Sequence, residues 1–251
     1  MQNRRIPHER ILSKLDDYLH RNDYAAAERH LLYWLGEAEQ CGDGGTELTV
    51  RNELMGLYRK LGRGEEALAC VDAALDKINS MNISHQVGSA TTYLNSATVY
   101  KAFGRAEEAI PLFEEARRIY EENLVPDDGR LGGLYNNMAL ALVDLGRFEE
   151  AKELYAKAIS VMEKQEGGEL EVAITYLNLA TAAEAELGLE NADEAIQKYL
   201  ELAESLLEGF TKRDGYYAFV CEKCASVFGY YGLFVYENEL KERARRIYEG
   251  N

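Results

Sequence analysis

The chain has 251 residues, 47% hydrophobic and 29% charged, with a formal net charge of -16. An acidic balance of this size repels phosphate backbones and offers no polybasic patch, so nucleic-acid and membrane-surface binding are disfavoured. No run approaches the roughly 18 apolar residues that span a bilayer, and four cysteines are too sparse for a disulfide framework.

Met1 to Leu12 contains Arg4, Arg5, His8, Glu9 and Arg10 but no apolar core, so no secretory signal is expected. A cytoplasmic protein is the simplest expectation. Asn22-Asp23-Tyr24-Ala25-Ala26-Ala27, with Leu31 four residues later, imitates a turn and the start of a helix. From there the chain falls into an even beat. Leu61-Gly62, Phe103-Gly104, Leu145-Gly146 and Leu187-Gly188 are spaced by 42 residues each. A fixed period in this range predicts a solenoid.

Each glycine is followed by a small-large-small pattern on one helix face. The sets are Ala67, Val71, Ala74; Ala109, Phe113, Ala116; Ala151, Tyr155, Ala158; and, more loosely, Ala195, Tyr199, then Leu202 with Ala203. Alanines let two helices approach closely, and the bulky residue fills the space beside them. The glycine is expected to end the preceding helix in a left-handed cap. Ahead of the glycines stand Tyr93-x-Asn95-x-Ala97, Tyr135-x-Asn137-x-Ala139 and Tyr176-x-Asn178-x-Ala180, again helical in period. Each unit is therefore a helix A, a tight turn and a helix B.

These residues resemble the tetratricopeptide repeat: the aromatic, the Ala, the glycine turn and the Ala-x-x-x-aromatic fall at matching places. The period of 42 rather than 34 and the missing helix-B proline depart from it. Leu134 to Leu142, followed by Gly146-Arg-Phe-Glu-Glu-Ala151, is most similar to the longer repeats of kinesin light chain. The resemblance covers about residues 46 to 209. It implies an all-α fold, a right-handed α-solenoid of antiparallel helix hairpins with helix A lining a concave groove. One solenoid over 1–251 is expected. Its units fall near 7–41, 46–81, 88–124, 130–165, 170–209 and 214–249, the first and last degenerate caps.

The resemblance implies an interaction scaffold without catalysis or cofactor, whose groove takes a peptide or protein segment. Asparagines at this place are implicated in peptide binding in the kinesin light chain family, which carries over to Asn95, Asn137 and Asn178; Tyr93 is added as a contact. A polar helix face or repeat-to-repeat hydrogen bonds is the plainer account of the same residues. Glu53 and Lys223 occupy the register in the flanking units, and Asn52 and Asn136, one residue off, are expected to be structural or solvated. A basic carboxylate clamp is not expected, since Leu131 to Leu145 and Leu170 to Leu187 contain no Lys or Arg.

Tyr216, Tyr217, Phe219, Phe228, Tyr230, Tyr231, Phe234 and Tyr236 crowd the C-terminal hairpin. They are expected either to fill a cap covered by Asn238 to Asn251 or to cover a second copy, giving a homodimer or a partner dock. An assembly subunit or a peptide-sensing regulator are thus the alternative functions. Cys221-x-x-Cys224 lacks the other half of a zinc site and is expected to be core. No phosphate-binding loop, Gly-x-Ser-x-Gly or His-Glu-x-x-His occurs. Glu65-Glu66, Glu107-Glu108 and Glu149-Glu150 are assigned to helix-dipole stabilisation.

Overall fold

The structure, a computed structural model, describes residues 6–250; Arg4, Arg5 and the final Asn251 lie outside the described residues. Among the described residues there are twelve helices and no strand. The chain divides into two compact units, one ending at Asn123 and one beginning at Leu124.

The first unit holds α1 (His8–His20), α2 (Tyr24–Cys41), α3 (Gly44–Lys60), α4 (Gly64–Met81), α5 (Val87–Ala102) and α6 (Ala106–Asn123). They pair as hairpins α1/α2, α3/α4 and α5/α6, with α3 also packed on α5. The second unit holds α7 (Gly129–Asp144), α8 (Phe148–Met162), α9 (Glu169–Leu187), α10 (Leu189–Gly209), α11 (Gly215–Tyr230) and α12 (Phe234–Glu249). Here too the helices pair in order, and α9 packs against both α7 and α11. The odd-numbered helices are the A helices and form a layer within each unit. The fold is an all-α solenoid of antiparallel helix hairpins.

The alanine pattern explains the packing. Ala67, Val71 and Ala74 on α4, Ala109, Phe113 and Ala116 on α6, and Ala151, Tyr155 and Ala158 on α8 are all fully buried. Small side chains at steps of four and seven let the neighbouring helices approach, and interiors at this density punish any change in volume. On α10 the expected register is corrected. Ala192 and Ile196 take the buried positions, while Ala195 and Tyr199 are only half-buried. The reason lies one helix earlier. The Asn137-to-Asn178 step is 41 residues and not 42, so α9 runs one residue further before its glycine.

The turns follow the same logic. Gly62, Gly104 and Gly146 have φ of +69°, +75° and +70°, the left-handed cap that glycine adopts cheaply. Gly188 differs: φ is 78° and ψ is 154°, and it alone separates α9 from α10. In the first hairpin Asn22, with φ of 53°, stands where the other units have glycine, and Asn is the residue that best tolerates this region. Asp23, Asp43, Asp128 and Asp214 cap α2, α3, α7 and α11, each accepting a backbone N–H at 3.0 Å; such a cap contributes about 1 kcal/mol. The paired glutamates do open α4, α6 and α8. Arg63, Arg105 and Arg147, just outside those helices, each bond the second glutamate of the pair.

Candidate functional site

In each unit the A-helix layer carries the asparagine register, and each amide is used differently. Asn95 on α5 is half-buried, and its side chain makes no hydrogen bond among the described residues. Asn137 on α7 donates Nδ2–H to the Gly133 carbonyl at 2.8 Å, the back-bond of a polar residue to its own helix. Asn178 on α9 donates Nδ2–H to Asn136 Oδ1 at 3.1 Å. Asn136 Oδ1 also accepts Thr175 Oγ1–H at 3.3 Å. Asn136 is buried, so this bond is a repeat-to-repeat clasp between α7 and α9. The first unit has the corresponding pair, Asn52 Nδ2–H donating to Thr92 Oγ1 at 3.0 Å. Asn52 and Asn136 are thus structural. Glu53, in the same register on α3, is a carboxyl whose pKa is raised, first by burial and then by Asp16.

Tyr93 requires a correction. It is 8% exposed and packs within its hairpin, its hydroxyl facing Glu115 and Arg118 of α6, with burial raising its pKa. Tyr135 is likewise buried, and Tyr176 stacks on Tyr199 of α10 with ring centroids 6.2 Å apart. Tyr93, Tyr135 and Tyr176 pack toward the B helices of their own hairpins, and at 8% exposure Tyr93 has little surface left for a groove contact.

The stripe that carries Asn178 continues along α9 through Thr181 and Ala185. Its counterpart on α11 runs Lys223, Ser226, Tyr230. Between them lies a recess of about 490 Å³ lined by Thr181, Glu184, Ala185, Ser226, Val227 and Tyr230. Tyr230 and Tyr231 donate their hydroxyls to the two oxygens of Glu184, at 2.7 and 2.8 Å. That bond holds the Tyr230 hydroxyl above its ordinary pKa; burial first, then the same carboxylate, does so for Tyr231. Sequence reasoning missed Glu184, because partners 46 and 47 residues apart meet only once α9 and α11 are laid side by side.

The aromatic C-terminal surface also splits. Tyr217 and Phe228 are fully buried and belong to the core of the last hairpin, with Val220, Cys221, Cys224, Leu240 and Ala244. Their removal from the candidate surface is a correction: α12 covers them, as a cap should. Tyr231 and Tyr236 are half-buried against that core. Tyr216, Phe219, Tyr230 and Phe234 stay exposed, as does Val235 at 85%. Burial pushes the Cys224 thiol up to about 12. Among the described residues no cluster of three or more His, Cys, Asp or Glu could hold a metal ion. Nor is any described helix long and apolar enough to cross a membrane.

The family model described as tetratricopeptide repeat matches residues 46–122 and 130–205. The chain therefore belongs to the tetratricopeptide repeat family, whose fold is typically a non-enzymatic scaffold for protein partners. Its structural neighbours are of the kinesin light chain type. One is the crystal structure of a putative kinesin light chain with nearly identical TPR-like repeats from Podosopora anserina. It is 20% identical, with a TM-score of 0.55 over 81% of this chain and 95% of that one. Another is BtubC (BKLC) from P. vanneervenii, 22% identical, with a TM-score of 0.57 over 92% of this chain and 91% of that one. No curated protein matches the sequence.

Proposed function

We propose that the chain is a non-catalytic scaffold that holds a peptide or protein segment along the A helices of its units. Asn95, Asn137 and Asn178 are the contacts. The observation that carries this reading is the recess between α9 and α11, which lies on the same helical stripe as Asn178. A volume of a few hundred cubic ångströms suits one large side chain or a turn of peptide. Each asparagine keeps a carbonyl oxygen that can accept from a passing backbone. A cytoplasmic site of action belongs to this reading and agrees with four free cysteines.

The test is affinity capture from lysate of the source cells, read by mass spectrometry. Wild type is compared with an Asn95→Ala, Asn137→Ala, Asn178→Ala variant shown to be folded by circular dichroism. Proteins held by wild type and lost by the variant would put the partner on the asparagine face. An unchanged set would remove the asparagines from the reading.

A second reading, self-association through the last hairpin, draws on Phe234 and Val235, which stand 62% and 85% exposed at the α11–α12 turn. Mass in solution at micromolar concentration decides it: a dimer that Phe234→Asp converts to monomer supports it, and a strict monomer sinks it.

A further inference from the structure

Four glutamates accept from tyrosine hydroxyls among the described residues: Glu28, Glu208, Glu171, which takes one from Tyr216, and Glu184, which alone takes two; Glu28 and Glu208 also hold an arginine. Glu28 accepts from Tyr58 at 3.0 Å and from Arg63 at 2.8 Å, and the Arg63 guanidinium sits 4.6 Å over the Tyr58 ring. Glu208 accepts from Tyr236 at 2.7 Å and from Arg243 at 2.7 and 3.0 Å, with Arg243 5.9 Å over the Tyr236 ring. The chain thus builds one tyrosine–glutamate–arginine triad in each unit. Such a triad is chemically sensible. The hydroxyl fixes the carboxylate, the carboxylate binds the guanidinium, and the ring face attracts the cation.

Glu184 has the same beginning and no end. Tyr230 and Tyr231 fix both of its oxygens, and no lysine or arginine pairs with it among the described residues. Lys223, a turn or more away on the α11 stripe, is exposed and does not reach it. In place of an internal cation there is the recess. Ala185 and Val227 offer apolar wall for a methylene stem, and Thr181 and Ser226 offer hydroxyl oxygens that can accept from its head group. Tyr230, 69% exposed, leaves its ring open.

We infer that the recess at Glu184, Tyr230 and Tyr231 takes the cationic side chain, arginine or lysine, of the bound segment, completing the triad that the chain completes by itself at Glu28 and Glu208. The inference rests on the scaffold reading and gives it a partner chemistry: a segment with a basic residue placed to meet the C-terminal end of α9. It also fits the net charge of -16, which draws basic segments toward the surface.

The test uses the full chain with ¹³C-labelled tyrosines and a one-residue probe, Nα-acetyl-arginine amide, against its neutral isostere Nα-acetyl-citrulline amide. Tyr230→Phe and Tyr231→Phe assign the two resonances. The expected result is a saturable shift of both signals with the arginine probe and not with the citrulline one. Glu184→Gln should weaken it about tenfold, the worth of one charge-assisted bond. Because Glu184→Gln could loosen α9 from α11, Ser226→Lys supplies an independent arm. Ser226 is exposed, and the new ammonium should occupy the recess and block the probe. Absence of a shift, an equal shift with citrulline, or binding untouched by both substitutions would overturn the inference. Because the probe is a single residue, its failure leaves the lysate capture of the scaffold reading unaffected. Conversely, a capture set unchanged in the asparagine variant does not alter the probe result.

Discussion

The two units solve the same packing problem with the same residues and reach different ends. In the unit from Leu124 onward, Asn136 Oδ1 accepts from both Thr175 and Asn178, so the amide oxygen between α7 and α9 is fully used. In the unit up to Asn123, Asn52 donates to Thr92, its own Oδ1 is buried without a partner, and Asn95, the counterpart of Asn178, bonds to nothing described. Half a turn of the Asn52 amide would reproduce the other pattern. The contrast teaches that a repeated asparagine need not have a repeated job. Asn178 is spent largely on holding two helices together, whereas Asn95 has its whole amide to offer. A second pair shows the same divergence. Phe113 and Tyr155 share one fully buried register, but Tyr155 brings a hydroxyl that has no hydrogen-bond partner.

These contrasts can be broken by substitution. Phe113→Tyr should be the most damaging exchange, costing about 2–3 kcal/mol, because a close-packed site must admit an oxygen with no partner. Urea unfolding reads it, and a neutral result would mean the first unit has room that the second was thought to have gained. Asn136→Ala should cost about 1–2 kcal/mol by orphaning the Asn178 amide donor, the Thr175 hydroxyl keeping the Glu171 carbonyl at 2.9 Å, against less than about 1 kcal/mol for Asn52→Ala, whose amide is already half unpaired. Equal costs would erase the difference between the clasps. The reverse exchange Tyr155→Phe should gain about 1 kcal/mol by deleting the stranded hydroxyl, visible as a raised unfolding midpoint at unchanged m-value.

The smallest effect concerns pH. Asp128, the cap of α7, is held down to about 2, first by the Arg130 side chain and then by the Arg130 backbone N–H. A depressed carboxyl stabilises the fold in full above its unfolded value of about 3.9 and loses that contribution as pH falls toward about 2. Asp43, the cap of α3, is lowered too, first by the Thr46 backbone N–H. Thermal melts between pH 5 and 2 (roughly the window set by those two values) should therefore decline. In Asp128→Asn that decline should be shallower by less than about 1 kcal/mol, since the pair is near the surface. An identical slope would show that Asp128 contributes through its cap alone.

Much of the architecture was legible because it depends on local periodicity. Glycines every 42 residues, alanines at steps of four and seven and paired glutamates at the start of helix B each act within one or two turns of chain. The aromatic of helix A was legible as a position but not as a role. Tyr93 looked available because nothing local shows that helix B covers it. The register slip on α10 came from one residue added inside α9, which a match to the nearest alanine concealed. The clasp at Asn136 and the tyrosine grip on Glu184 were illegible for a different reason: they join positions 42 to 47 residues apart. Such bonds depend on how far one A helix slides along the next, and no spacing in the sequence encodes that distance.

The single-residue turn at Gly188 limits how this chain can change over generations. At the other turns the backbone occupies a region that asparagine also tolerates, as Asn22 and Asn82 demonstrate at φ of 53° and 54°. Those glycines can drift to asparagine and back with little harm. At Gly188 the combination of φ 78° and ψ 154° belongs essentially to glycine alone. With no other residue between α9 and α10, an insertion or exchange there would displace the helix that carries both Asn178 and Glu184. Variation among descendants of this sequence should therefore accumulate at the other glycine turns and stop at Gly188.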